Sequence, residues 1–143
     1  MENQVETKKI LLVNQLKELE TISQYLEELA GGWDLSVPFT MKLTLALEEA
    51  FTNIVNYGFQ DDESHEIALV FEKQNNRLFI SLIDDGIPYD PTLTTDPDIN
   101  LSAEERKIGG LGIFLIRKMM DKVSYQRIGK NNVLKMEKTI TPN

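Results

Sequence analysis

The spacing of apolar side chains along the chain predicts a definite order of strands and helices. Apolar residues recur every three or four positions in some segments and every second position in others, which is typical of helices and strands respectively. Asn14 is predicted to cap the first helix and Gly31-Gly32 to end it. The predicted strands cover residues 6–13, 66–73, 77–83, 123–128 and 132–140, and the two later helices cover residues 38–57 and 111–121.

This order predicts an α+β fold. Helices would cover one face of a mainly antiparallel sheet, giving a two-layer sandwich. A length of 143 residues fits one domain spanning residues 1–143. Residues 87–108 have no clear periodicity and contain three prolines, and a loop of that length is usually a functional lid or a disordered segment.

Composition narrows the class of function. The hydrophobic content of 41% and charged content of 27% are ordinary for a soluble globular protein. A net charge of -8 argues against nonspecific nucleic-acid binding, and it implies that a polyphosphate would bind with a metal ion and local cationic groups. The chain has no cysteine, which excludes disulfides and thiolate metal sites. Residues 1–9 do not resemble a signal peptide and no apolar run could span a bilayer, so we expect a cytoplasmic protein without membrane segments.

A polar stripe on the second predicted helix is the first candidate site. Glu49, Asn53 and Asn56 are spaced by four and three residues, so they share one helix face. The carbonyl oxygen of an Asn can bind Mg²⁺, which prefers oxygen ligands. A Glu one turn away can accept a proton from an attacking hydroxyl or water. Solvated faces of amphipathic helices carry similar stripes, so that interpretation stays open.

Two further motifs could complete a nucleotide site. Asp84 and Gly86 follow an alternating strand, where a carboxylate can accept a hydrogen bond from the exocyclic amine of adenine and a glycine leaves room for a flat ring. The same residues are also typical of a plain turn. Gly110 and Gly112 open an apolar helix, whose backbone N–H groups favour anions. This glycine cluster is neither a P-loop nor a dinucleotide fingerprint, and a flexible hinge is the alternative.

Together these motifs resemble those of a known superfamily. Glu49-x-x-x-Asn53, Asp84-x-Gly86-x-Pro88 and Gly110-x-Gly112 stand in the order of the N, G1 and G2 boxes of GHKL ATPases. Residues 45–53 and 109–116 closely resemble the bacterial anti-sigma-factor serine/threonine kinases. The resemblance covers nearly the whole chain. It implies the Bergerat fold, with a mainly antiparallel mixed sheet and an ATP lid at about residues 87–108.

The resemblance implies a role for each motif residue. Asn53 would coordinate Mg²⁺, and Glu49 would be the general base that deprotonates a protein serine or threonine. Asp84 would bind the adenine amine, with Gly86 giving space for the ring. The remaining implied nucleotide contacts are Gly110 and Gly112 at the phosphates and Lys107 near the terminal phosphate.

The resemblance also implies partners. The kinase would phosphorylate a small anti-anti-sigma protein of the STAS type, and the added charge would break their complex and free the kinase to hold a sigma factor. A homodimer is expected, without direct nucleic-acid or membrane contact. Two alternatives remain open: a nucleotide-gated module that binds its partner without efficient phosphoryl transfer, and an interaction domain that has lost the nucleotide.

Two positions depart from the family pattern. Several relatives carry an arginine ahead of the second glycine motif, where this chain has Ile108 with Lys107 beside it. Lys107 could replace the charge of that arginine, but it lacks the paired N–H donors of a guanidinium group. The late Gly-Thr of the family is replaced by Asn131-Asn132. The single histidine, His65, is expected to be a surface residue without a role.

Overall fold

The fold is built on one antiparallel sheet, against which the helices pack. The computed structural model describes residues 5–93 and 110–140. Its strands are β1 (Val5–Val13), β2 (Glu66–Gln74), β3 (Arg77–Asp84), β4 (Lys122–Ile128) and β5 (Asn131–Thr139). Its helices are α1 (Glu18–Trp33), α2 (Val37–Tyr57) and α3 (Gly110–Met119), with a short 3-10 turn at Pro91–Leu93. The α+β fold with helices packed on a sheet is confirmed.

The strands lie in the order β1-β2-β3-β5-β4, and each pairing between them is antiparallel. The mixed sheet implied by the resemblance is therefore wrong for the described strands. Alternation decides which face is covered: Ile80 pairs with Phe71 on one side and Met136 on the other, and all three are fully buried. The helices supply the other half of this core.

The first helix differs from its prediction at both ends. It begins at Glu18 rather than after Asn14, and the side-chain Oδ1 of Asn14 instead accepts a 2.9 Å hydrogen bond from the His65 backbone N–H. The helix passes through Gly31 and Gly32 and ends at Trp33, and the next residue, Asp34, caps it in a left-handed conformation with φ of 53°. Trp33 packs against the core. This apolar contact outweighs the cost of about 1 kcal/mol for each helical glycine.

The second helix matches its prediction and positions the candidate site. The Ser36 hydroxyl accepts a 3.3 Å hydrogen bond from the Phe39 backbone, and Pro38 lies in the first turn, where a missing N–H costs nothing. The helix ends at Tyr57, with Gly58 as its C-cap. Its buried face consists of Phe39, Leu43, Ala46, Leu47, Ala50, Phe51 and Asn53. Asn53 is the one polar member of that face.

The predicted lid is largely outside the described residues. Residues 94–109 belong to that undescribed part, so the predictions for Lys107 and Ile108 lie outside the described residues. The lid's beginning is described as far as the 3-10 turn at Pro91–Leu93. Among the described helices, none combines the length and apolar character that a membrane span requires.

Candidate functional site

A pocket forms where α2, α3 and the ends of three strands meet. Its lining comprises Ala50, Asn53, Ile54, Gly58, Asp84, Tyr89, Pro91, Ile116, Tyr125, Asn132 and Leu134. The pocket therefore brings together Asn53 and Asp84, which the sequence analysis selected from separate motifs. Its cavity measures about 30 Å³, which is room for one or two water molecules. A nucleotide base can enter only if the side chains around it move apart.

Asn53 presents an unsatisfied polar group to this pocket. The residue is only 8% exposed, and its Nδ2 has no hydrogen-bond partner among the described residues. A buried donor left unpaired costs about 1–3 kcal/mol. The two ends of an amide exchange by rotation about its last bond, so either the nitrogen or the oxygen can face a ligand. A buried Asn whose Nδ2 has no described partner is suited to bind a ligand that enters the pocket.

Glu49 lies one helical turn before Asn53 on the same face of α2. Its side chain is half-buried, and it is not among the residues that line the cavity. The four-residue spacing keeps it beside Asn53. The structure therefore unites Asn53 with Asp84 inside the pocket and leaves Glu49 adjacent to it.

Asp84 ends β3 and is the buried carboxylate of the site, with 4% of its surface exposed. Its Oδ1 accepts hydrogen bonds from the Gly86 backbone at 2.8 Å and from Asn132 Nδ2 at 3.0 Å. Burial raises the pKa of Asp84, while these two hydrogen bonds and Arg127 act in the opposite direction. Since both described donors meet Oδ1, Oδ2 is the oxygen left for a ligand.

Gly86 is required by close backbone packing. A Cβ on this residue would lie 2.2 Å from the carbonyl oxygen of Gly58 and 2.9 Å from Asp84 Oδ1. The same Gly58 carbonyl accepts a 2.8 Å hydrogen bond from the Ile87 backbone. The glycine thus lets the turn after β3 dock on the end of α2. The predicted approach of a base ring to Gly86 stays a prediction.

Asn132 is a site residue whose importance the sequence did not reveal. Asn131-Asn132 was predicted to replace the Gly-Thr of the family with an amide that can still bond to a base edge or water, and both residues begin β5. Strand alternation directs Asn132 toward the pocket, where it is buried and bonded to Asp84. No local sequence pattern identifies it, because it lies opposite Asp84 only in the sheet register.

The glycine motif lies at the start of α3. Gly110 is the first residue of that helix and Gly112 is in its first turn. The first four N–H groups of a helix have no partner within the helix. This position is compatible with the predicted contact to phosphate oxygens, which stays a prediction.

His65 holds two turns together, so the expectation of a surface residue without a role is wrong. Its Nε2 lies 2.8 Å from Asp61 and its Nδ1 lies 3.0 Å from Asp85, while its ring stacks on Phe59 with centroids 4.4 Å apart. An ionised carboxylate can accept hydrogen bonds but cannot donate them. Both contacts are therefore hydrogen bonds when both ring nitrogens of His65 carry protons. The hydrogen bond to Asp61 raises the pKa of His65.

The stabilising effect of His65 should depend on pH. Because the pKa of His65 is raised in the folded state, its contribution is fully present below the ordinary pKa of 6.5 and is lost as pH rises through the folded-state pKa. We expect His65→Gln to lower the free energy of unfolding more at about pH 5.5 than at about pH 9. Urea unfolding at both values measures this. An equal loss at the two pH values would contradict the protonated bridge.

Comparisons with known proteins give the family of this chain. The profile of the histidine kinase-like ATPase domain matches residues 12–138. The serine/threonine-protein kinase BtrW of Bordetella bronchiseptica is 33% identical over 105 residues, which cover 72% of each chain. The serine-protein kinase RsbW of Listeria monocytogenes is 34% identical over 85 residues, which cover 57% of this chain and 54% of that kinase. This chain therefore matches about half the length of that second relative.

A solved structure gives independent support for the fold. The crystal structure of the RsbU and RsbW domains of Rv1364c from Mycobacterium tuberculosis superposes with a TM-score of 0.70. The match has 13% sequence identity and covers 96% of this chain and 33% of that one. The family model and the match to BtrW confirm the predicted family, and the structural match supports the fold alone. The chain belongs to the histidine kinase-like ATPase domain family and is a relative of the bacterial serine/threonine-protein kinase BtrW.

Proposed function

We propose that this chain is a Mg-ATP-dependent serine/threonine protein kinase that acts as an anti-sigma regulatory factor. The observation that carries the proposal is the pocket in which Asn53 and Asp84 converge, with Asn53 Nδ2 buried and without a partner among the described residues. Membership in a family of serine/threonine-protein kinases supports the same reaction.

The pocket residues have distinct tasks in nucleotide binding. Asp84 Oδ2 accepts a hydrogen bond from the exocyclic amine of adenine, since Oδ1 is already occupied. Asn53 would hold the magnesium ion through its amide oxygen, and its Nδ2 has no described partner that would oppose this orientation of the amide. When bound, Mg²⁺ neutralises charge on the phosphates. Gly110 and Gly112 offer backbone N–H groups to the phosphates, and the positive charge of Lys107, which lies outside the described residues, is assigned to the terminal phosphate.

Glu49 acts on the protein substrate. Its carboxylate accepts the proton of a serine or threonine hydroxyl as that oxygen bonds to the terminal phosphorus of ATP. The bond between this phosphorus and the oxygen bridging it to ADP breaks, and the electron pair leaves with ADP. The products are ADP, a phosphorylated side chain and a protonated Glu49.

The substrate in this proposal is a small anti-anti-sigma protein of the STAS type. A phosphate group adds nearly two negative charges, which weakens the complex with a chain whose net charge is already -8. The released kinase then sequesters a sigma factor. It works as a homodimer in the cytoplasm.

A pull-down with and without ATP tests the proposal. The tagged chain is incubated with a bacterial extract, and the captured proteins are identified and mapped for phosphorylation. We expect one small protein to be captured without ATP and to be released with a single phosphoserine or phosphothreonine when Mg-ATP is added. Capture that is indifferent to ATP, together with no phosphorylation of any captured protein, would reject the kinase.

A nucleotide-gated module without efficient transfer is the second candidate. It is favoured by two observations: Glu49 is not among the residues lining the cavity, and Asn132 stands where the family carries Gly-Thr. In that case Mg-ATP would change how tightly the partner binds, and the mapped partner would carry no phosphate.

Replacing Asp84 with asparagine should weaken ATP binding by about 1.5–3 kcal/mol. If the new amide oxygen keeps the bonds from Gly86 and Asn132, its NH₂ group takes the place of Oδ2. Two donors, this NH₂ and the adenine amine, would then face each other. Calorimetric titration with Mg-ATP measures the loss.

The neighbouring residue supplies a matched control for this substitution. Asp85 carries the same charge, but its carboxylate contacts His65 and it is absent from the pocket lining. Asp85→Asn should leave ATP affinity within about twofold of the parent. If both asparagine variants lost the same affinity, overall charge rather than a contact with the base would explain the effect.

A further inference from the structure

We propose that Asn132 is a positioning residue for base recognition: it fixes the Asp84 carboxylate in the orientation that leaves Oδ2 facing the exocyclic amine of the bound nucleotide. The inference rests on the proposed function, and it assigns this task to a residue that departs from the family motif. It follows from four hydrogen bonds and the register of the sheet.

The orientation of the Asn132 amide is determined by its neighbours. Its Oδ1 faces Arg127 Nη1 at 3.1 Å, and a guanidinium can only donate. Its Nδ2 faces the Ile87 carbonyl at 2.8 Å, and a carbonyl can only accept. A flipped amide would lose both bonds. The NH₂ group is therefore the part of Asn132 that meets Asp84 Oδ1, at 3.0 Å.

An amide meets the demands of this position because it has two donor hydrogens and an acceptor oxygen. The two hydrogens bridge Asp84 and the turn that follows it, at Ile87. The oxygen accepts from Tyr125 at 2.5 Å as well as from Arg127, which ties β4 to the same point. A hydroxyl at this position has one hydrogen and could not bridge both acceptors.

Asp84 cannot rotate without breaking these contacts. Its Oδ1 is held by Asn132 and by the Gly86 backbone, while Arg127 also donates to the Gly86 carbonyl at 2.9 Å. The carboxylate and the turn after it are thus clamped from β4 and β5. Removing the Asn132 amide would leave only the Gly86 backbone on Oδ1 among the described donors, and Oδ2 would lose its defined direction.

A pair of nucleotides separates this role from a purely structural one. ATP and purine riboside 5′-triphosphate differ by the exocyclic amine, so an effect transmitted through Asp84 should appear with ATP alone. We expect Asn132→Leu to weaken binding of Mg-ATP by about tenfold and binding of the analogue by less than about twofold. Calorimetric titration of both ligands on the full chain measures the two changes.

Two further variants keep the test decisive. Asn131→Leu makes the same change one residue earlier, where alternation directs the side chain to the opposite face of β5, and it should leave both affinities unchanged. Asn132→Ala introduces neither a larger side chain nor a donor, and it replaces Asn132→Leu if the leucine variant does not fold. It should show the same selective loss of ATP affinity.

Each remaining outcome would reject the positioning role of Asn132, the contact between Asp84 and adenine, or the proposed function. Equal losses for ATP and the analogue, or no loss for either, would reject the positioning role of Asn132. A parent protein that binds both ligands equally well would instead reject the contact between Asp84 and the amine, and the positioning role with it. A parent that binds neither would reject the proposed function itself.

Discussion

Glu49→Ala is expected to lower phosphoryl transfer to a protein serine or threonine by about 10²- to 10⁴-fold, because general-base catalysis contributes on that scale. Mg-ATP affinity should change little, since Glu49 is not among the residues that line the pocket with Asn53 and Asp84. Single-turnover transfer to the captured partner measures the rate, and calorimetry measures the affinity. The transfer rate should therefore fall while the Mg-ATP affinity stays close to that of the parent.

The adjacent carboxylate is a matched control. Glu48 has the same charge and helix but is turned by about 100° around its axis, away from the stripe that Glu49 shares with Asn53. Glu48→Ala should transfer phosphate within about twofold of the parent. Transfer by Glu49→Ala at the parent rate would remove Glu49 as the base. Equal losses in both variants would point to helix stability or to substrate docking instead.

The layers of the fold could be predicted because burial acts on every residue of an element. Ile67, Leu69 and Phe71 repeat at the period of a strand and are all fully buried, so the alternating pattern and the covered face coincide. The strand order was less accessible. In the order β1-β2-β3-β5-β4, β5 lies between β3 and β4, and no local pattern specifies that long-range pairing.

The ends of the first helix show where local signals lose to packing. Gly31-Gly32 is an ordinary stop signal. The helix nevertheless continues to Trp33 because that side chain packs on the core. Asn14 is an ordinary cap, but its amide carbonyl is used by the backbone of His65, 51 residues away. Both errors come from tertiary contacts that a window of neighbouring residues does not contain.

The candidate site also contains residues that local motifs predict and residues that only long-range contacts define. Asn53 and Asp84 could be selected because each belongs to a local motif, and the pocket brings them together. Asn132 and His65 could not, since the role of each is defined by partners from other elements: Asp84 and Arg127 for Asn132, and Asp61 and Asp85 for His65. The size of the pocket, which is too small for a base, also follows only from packing.

Asn53→Leu should have opposite effects on stability and on binding. Removing a buried amide whose nitrogen has no described partner should leave the unliganded protein as stable as the parent, or more stable by about 1 kcal/mol. Mg-ATP affinity should fall at least about a hundredfold, because losing a direct metal ligand exceeds the 10- to 100-fold typical of outer-shell changes. Urea unfolding without nucleotide and titration with Mg-ATP measure the two effects.

The exposed end of the same stripe provides the comparison for Asn53→Leu. Asn56 lies three residues later and is exposed, so Asn56→Leu should alter neither stability nor nucleotide affinity appreciably. A large loss of stability in Asn53→Leu would mean that the amide supports the fold itself. Retained affinity that still depends on magnesium would remove Asn53 as its ligand. We expect Asn53→Leu to gain stability and to lose binding. A buried polar group without a described partner destabilises the unliganded protein, and its benefit comes from binding the ligand.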